Sequence, residues 1–114
     1  MKAELKRLHS PDADLTSGNL PEDALFVQLM IGPEGSPGEE SFDVVVCTPR
    51  SHDRVIDPED PDSGKYLLIL DRIDAGLIEQ YVREYLRDLD RPTWQELAQE
   101  IGKLGKWEFQ DYQP

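Results

Sequence analysis

Two apolar, β-forming runs joined by a short glycine- and proline-rich connection constrain this chain more than any other feature. Residues 24–31 (ALFVQLMI) stop at Gly32 and Pro33, and residues 41–48 (SFDVVVCT) stop at Pro49. The seven residues between them, 34–40 (EGSPGEE), are turn chemistry, so the pair reads as an antiparallel hairpin with a longer loop. In the second run Phe42, Val44 and Val46 share one face, and Asp43, Val45 and Cys47 share the other. A hairpin with an apolar face needs a covering layer.

The C-terminal half supplies that layer. Asp74 caps a helix expected over residues 75–90, where Leu77, Ile78, Tyr81, Val82, Tyr85, Leu86 and Leu89 form one apolar stripe. Glu79, Arg83, Glu84, Arg87 and Asp88 take the opposite side, and Asp90-Arg91-Pro92 breaks the helix. Thr93 and Glu96 then spell a capping box. The helix they open places Trp94, Leu97, Ile101 and Leu104 on one face. Gly105 is expected to end it as a left-handed residue. Trp107 and Phe109 alternate about Glu108 as a short strand does, in a unit that runs on to Tyr112.

The remaining segments complete the sheet. Residues 2–8 form an imperfectly alternating first strand, and residues 11–23 are loop chemistry. Residues 66–71 (YLLILD) are a further strand, whose continuous apolar run suggests a buried, central position. Strands first, helices next and a short strand last predict an α+β fold. The expected architecture is an antiparallel sheet of about four to five strands with two helices packed on one face. A chain of 114 residues is most simply one domain, 1–114.

Charge narrows the function. The chain carries 24 acidic and 12 basic residues, for a net charge of -12. Such a field opposes nucleic acid and anionic membrane, and it steers basic proteins inward. The longest apolar run is interrupted by Gln28 and is far shorter than a membrane helix requires. The first residues carry charge without an apolar stretch behind them, so no signal peptide is expected. A single cysteine, Cys47, gives no disulfide framework. A soluble cytoplasmic protein is the expectation.

Catalytic and metal signals are weak. Ser51-His52-Asp53 spells a triad, but adjacent residues do not align as nucleophile, base and orienter. Cys47 with His52 or His9 is the better nucleophile candidate, set against a small core cysteine on a strand. Asp60, Asp62 and Gly64 echo a calcium loop, yet the glycine falls one position early and prolines interrupt it. No His/Cys set has zinc spacing. The loop of Gly32, Gly35 and Gly38 is acidic and lacks a following lysine, so it does not suit phosphate. No cofactor is expected. Trp94, Trp107, Phe109, Tyr81 and Tyr85 read first as core, and second as a pocket lining.

Set beside known families, the chain resembles the bacterial immunity protein 8 family of polymorphic toxin systems. The resemblance runs nearly end to end. It is carried by Met1-Lys-Ala-Glu-Leu-Lys, His9-Ser-Pro-Asp, Met30-Ile-Gly-Pro, Gly38-Glu-Glu-Ser-Phe-Asp and Val46-Cys47-Thr48-Pro49. Thr93-Trp94, Ile101-Gly102 and Gly105-Lys-Trp107-Glu-Phe109 add the C-terminal part. The signature residues Cys47, Pro49, Trp94, Trp107 and Phe109 are expected in the core. One departure stands out: the family tends to place an aromatic soon after Cys-Thr-Pro, where this chain has Arg50-Ser51-His52.

The resemblance implies an α+β immunity protein that binds a cognate toxin domain and blocks it stoichiometrically, without chemistry of its own. A basic nuclease is the toxin class that the charge suits best. The acids of the proline-interrupted loop, Asp57, Glu59, Asp60 and Asp62, with Glu39 and Glu40 of the hairpin connection, are the candidate contact surface. The same acids also read as a solvated loop. Two other functions stay open, a small thiol-dependent hydrolase using Cys47 and a non-catalytic adaptor. A monomer or a homodimer paired through an open sheet edge fits equally.

Overall fold

The computed structural model describes residues 1–110. Among them, strands β1 (Ala3–His9), β2 (Ala24–Pro33), β3 (Glu40–Cys47) and β4 (Leu67–Ile69) lie in that order across one sheet. The short β5 (Lys106–Trp107) pairs with the start of β3 through Phe42 and Asp43. Helices α1 (His52–Val55), α2 (Ala75–Arg87) and α3 (Trp94–Ile101) complete the fold. Among the described residues no helix is long and apolar enough to cross a membrane.

The hairpin forms as its pattern requires. Leu25 pairs with Val46, Val27 with Val44 and Leu29 with Phe42, and all six are buried on one face. At its turn Gly35 and Gly38 adopt φ of 78° and 105°, a region open to glycine at little cost. Gly32 is needed for space instead: a Cβ there would lie 2.0 Å from the Gly38 carbonyl oxygen. In β1 the register shifts between Leu5 and Arg7. That bulge explains the imperfect alternation, because Leu5 opposite Ile31 and Leu8 opposite Leu29 can then both face the core.

The inward faces of β1, β2, β3 and β4 form one core with Ile78, Val82 and Leu86 of α2, and with Leu97, Ala98 and Ile101 of α3. Helices α2 and α3 thus cover a single face of the sheet. Asp74 caps α2 by accepting from the Leu77 amide at 3.0 Å, and Thr93 caps α3 by accepting from the Glu96 amide at 3.2 Å. Lys2 ties β1 to the last turn of α2 by donating to the Arg87 carbonyl at 2.7 Å, where a cation complements the helix dipole.

Four details depart from expectation. First, β4 is an edge strand and runs parallel to β3, with Val45 opposite Leu67 and Cys47 opposite Ile69. Its apolar run is continuous because Leu68 enters the core while Ile69 stays 46% exposed on the other side. Second, residues 50–65 are not plain loop, since Ser51 opens the single turn of α1. Third, Gly105 is not left-handed, because positive φ among the described residues is confined to Gly35 and Gly38. It is a glycine because an added Cβ would lie 3.0 Å from Val44 Cγ1 and 3.2 Å from the Phe42 backbone carbon. Fourth, β5 ends at Trp107, so Phe109 sits in a turn; positions 111 and 112 of the expected unit lie outside the described residues.

Candidate functional site

The six candidate acids fall in two places. Asp57, Glu59, Asp60 and Asp62 lie in the segment that leads from α1 to β4, and all four are exposed. That segment is a run of consecutive turns. The Asp57 carboxylate accepts from the Glu59 amide at 2.9 Å, and the Asp60 carboxylate accepts from the Asp62 amide at 3.0 Å. These are bonds an Asp side chain makes two residues ahead, and they favour turns over helix or strand. Ser63 closes the run by accepting from the Asp57 amide at 2.9 Å and donating to the Asp60 carbonyl at 2.9 Å. Asp62 pairs with Lys65 at 3.3 Å.

Glu39 and Glu40 sit at the start of β3, and each already has a task inside the chain. The exposed Glu39 accepts from Arg7 Nε at 2.7 Å, across the β1–β2–β3 edge of the hairpin turn. Glu40 is half-buried, and one of its oxygens, Oε2, accepts from both tryptophans. Trp94 Nε1 donates at 2.9 Å and Trp107 Nε1 at 2.8 Å. A buried indole N–H needs a partner, and here one carboxylate serves two. Glu40 therefore binds the first turn of α3 and strand β5 to the first residue of β3.

Around this junction lies a groove of about 500 Å³ lined by Glu40, Trp94, Gln95, Gln99, Trp107 and Phe109, with Gln110 at its edge. Trp107 stacks on the buried Phe42, with ring centroids 6.4 Å apart and planes 11° from parallel. Phe109 meets Trp107 edge-on at 5.8 Å and stays 41% exposed. Gln110 donates its side-chain amide to the Tyr66 hydroxyl at 2.7 Å, which links the β5 turn to the start of β4. Thus Trp94 and Trp107 do two things at once: they pack against the core, and they wall a groove.

Sequence reasoning missed three polar anchors. The Glu40 junction is one. Ser51 is fully buried; its hydroxyl donates to the Asp23 carbonyl and accepts from the Thr48 amide at 3.1 Å. It fastens the turn after β3 to the loop before β2. Ser10, also buried, donates to the Phe26 carbonyl at 2.7 Å and accepts from the Asp12 amide at 3.2 Å. A serine in a turn motif next to a strand is the only local signal for such a latch.

The nucleophile candidate is poorly placed for chemistry. Cys47 is fully buried at the end of β3, and burial pushes its thiol above the ordinary range. A reactive cysteine needs the opposite shift and access to substrate. His52 Nδ1 lies 3.3 Å from Asp53, its neighbour in α1. Tyr81, expected in the apolar stripe, is 41% exposed, while Tyr85 donates to the Glu100 carbonyl at 3.3 Å and joins α2 to α3. Among the described residues no three His, Cys, Asp or Glu side chains are grouped to hold a metal ion.

Comparison with known proteins gives one result. No curated protein and no solved structure matched the chain. A family model, described as Immunity protein 8, matches residues 3–112, nearly the whole length and including the hairpin, both tryptophans and the acidic turns. The chain belongs to the Immunity protein 8 family.

Proposed function

We propose that this chain neutralises a cognate toxin domain by binding it, as a stoichiometric inhibitor without chemistry of its own. The observation that carries the reading is the family match over residues 3–112. The physical chemistry supports it in two ways. Twenty-four acids against twelve bases give a field that draws in a basic partner and repels nucleic acid and anionic membrane. The one thiol is buried and raised, so it does not suit nucleophilic attack.

Within this reading a basic toxin, such as a nuclease with a cationic cleft, is the partner class that the charge fits best. Asp57, Glu59, Asp60 and Asp62 form the steering edge, since they are exposed and held in defined turns. The protein acts in the cytoplasm, where a toxin made by the same cell or delivered by a neighbour would meet it. It works as a monomer or as a homodimer paired through the open edge of β1 or β4.

The test is coexpression with the toxin domain from the neighbouring reading frame. The expected result is restored growth and a one-to-one complex on size-exclusion chromatography with light scattering. Absence of both protection and complex would overturn the proposal.

A further inference from the structure

We propose that the groove between α3 and β5 receives an arginine side chain of the bound partner, with Glu40 as its anion. This assignment rests on the toxin-binding reading above and adds to it the chemistry of one contact.

The groove has the three things a guanidinium requires. The first is a fixed anion. Both tryptophan N–H groups converge on Glu40 Oε2, which orients the carboxylate, while Oε1 has no hydrogen bond within the described residues. An oriented carboxylate with a vacant oxygen is a preorganised acceptor, so little order is lost when a donor arrives. The second is π surface. Trp94, Trp107 and Phe109 line the same groove, and a delocalised planar cation stacks on such faces.

The third is a set of amide acceptors. Guanidinium carries five donors and one carboxylate oxygen satisfies only part of them. Gln95, Gln99 and Gln110 also line the groove. The amide nitrogen of Gln110 is engaged with the Tyr66 hydroxyl at 2.7 Å, which leaves its carbonyl oxygen for a donor. A lysine ammonium matches less well, being compact, strongly hydrated and unable to stack. An anionic or purely apolar side chain would meet an unpaired carboxylate. The net charge of -12 favours a cationic visitor over either.

The experiment separates the anion from the fold. Glu40→Gln keeps an amide oxygen to accept both indole bonds, but it removes the charge and turns the vacant acceptor into a donor. Gln99→Lys places a cation on the groove wall. Glu79→Gln, on the exposed face of α2, makes the same charge change elsewhere. Affinity for the toxin domain from the neighbouring reading frame is measured for each by calorimetry, alongside thermal melts. Trp94 and Trp107 are the two tryptophans of the chain, so intrinsic fluorescence also reports on the groove.

The expected result is that Glu40→Gln and Gln99→Lys each weaken binding by about tenfold or more while keeping most of the wild-type stability, with Glu79→Gln within about twofold of wild type. An arginine-to-alanine scan of the toxin should then find one position where Glu40→Gln has no further effect. Equal binding by Glu40→Gln and wild type, or an equal loss from Glu79→Gln, overturns the groove assignment while leaving the inhibitor reading intact. A wild-type chain that fails to bind overturns both.

Discussion

Trp94 and Trp107 donate to the same oxygen of Glu40, at 2.9 and 2.8 Å, although they belong to different elements. The bond pair fastens α3 and β5 to the first residue of β3, and it adds to the short ladder in which β5 pairs with Phe42 and Asp43. Glu40→Ala leaves two half-buried indole N–H groups without their charged acceptor. We expect a loss of about 2–4 kcal/mol in urea unfolding, with Glu40→Gln keeping most of the stability. Equal stability of the alanine variant and wild type would mean that the junction contributes nothing.

Gly105 tests whether a glycine is required for space or for conformation. Its φ is not positive, so alanine is tolerated by the backbone but not by the neighbours Val44 and Phe42, at 3.0 and 3.2 Å from the added Cβ. Gly105→Ala should cost about 1–3 kcal/mol, the usual range for overpacking. A Gly105→Ala/Val44→Ala double variant should recover part of that loss. At Gly32 the clash at 2.0 Å is with backbone, so Gly32→Ala should cost more and should not be rescued by any side-chain truncation.

These two positions also mark what the sequence could say. The hairpin, the α2 stripe and both helix caps were legible, because alternation, helical spacing and cap chemistry are local patterns. The edge position and parallel direction of β4 were not. An apolar run reads the same at the centre of a sheet as at an edge strand whose outer face keeps Leu67 and Ile69. At Gly105 the local pattern points to a cap, because glycine after a helix usually is one; the crowding by Phe42 is a long-range fact. The Glu40 junction was hidden for the same reason. Glu40 read as one more acid in an acidic turn, and nothing local says that two tryptophans from the far end of the chain converge on it. The usable hint was that two tryptophans expected in the core each needed an acceptor.

Cys47 should behave as a core atom. Buried and with its thiol raised, it should resist aromatic disulfide reagents in the folded chain and react only on unfolding. Cys47→Ala should lose about 1 kcal/mol of stability, from one heavy atom's packing, and should protect cells from the toxin as well as wild type does. Lost protection from a folded Cys47→Ala protein would revive a thiol-dependent mechanism.

The acidic turns call for substitutions that respect their bonds. Asp57 and Asp60 hold backbone amides with their carboxylates, so asparagine keeps the turn while removing charge. Asp57→Asn, Glu59→Gln, Asp60→Asn and Asp62→Asn together should leave the melting temperature nearly unchanged. Association with a basic toxin should slow by about tenfold at low salt, with a weaker salt dependence and a nearly constant dissociation rate. Stopped-flow mixing over a salt series measures this. Unchanged association kinetics would remove these acids from the encounter surface.

Asp43 provides the test in pH. It lies on the uncovered side of the sheet between Gln28 and Lys106, and burial raises its carboxyl above the ordinary range. The Gln28 amide, 3.5 Å away, and the Lys106 charge pull the other way without cancelling the shift. A carboxyl raised on folding binds its proton more tightly in the native state, so the ionised form opposes folding at pH above the folded value. That opposition fades as the pH falls through the folded pKa and is gone below the unfolded one. Asp43→Asn, which keeps the shape and supplies a neutral amide, should therefore melt higher than wild type at pH 7. The difference should shrink to nothing as the pH is lowered through the carboxylate range. Asp90 has the opposite sign: the hydrogen bond from the N-terminal ammonium at 2.9 Å, and then its charge, lower the carboxyl. Its contribution is present at neutral pH and is lost as the pH falls through its lowered value, so Asp90→Asn should melt lower than wild type at pH 7 and converge with it in acid. Paired thermal melts of the two variants across the acid range should thus give differences of opposite sign that both close. A Asp43→Asn variant that melts no higher than wild type at pH 7 would show that water reaches this carboxyl freely.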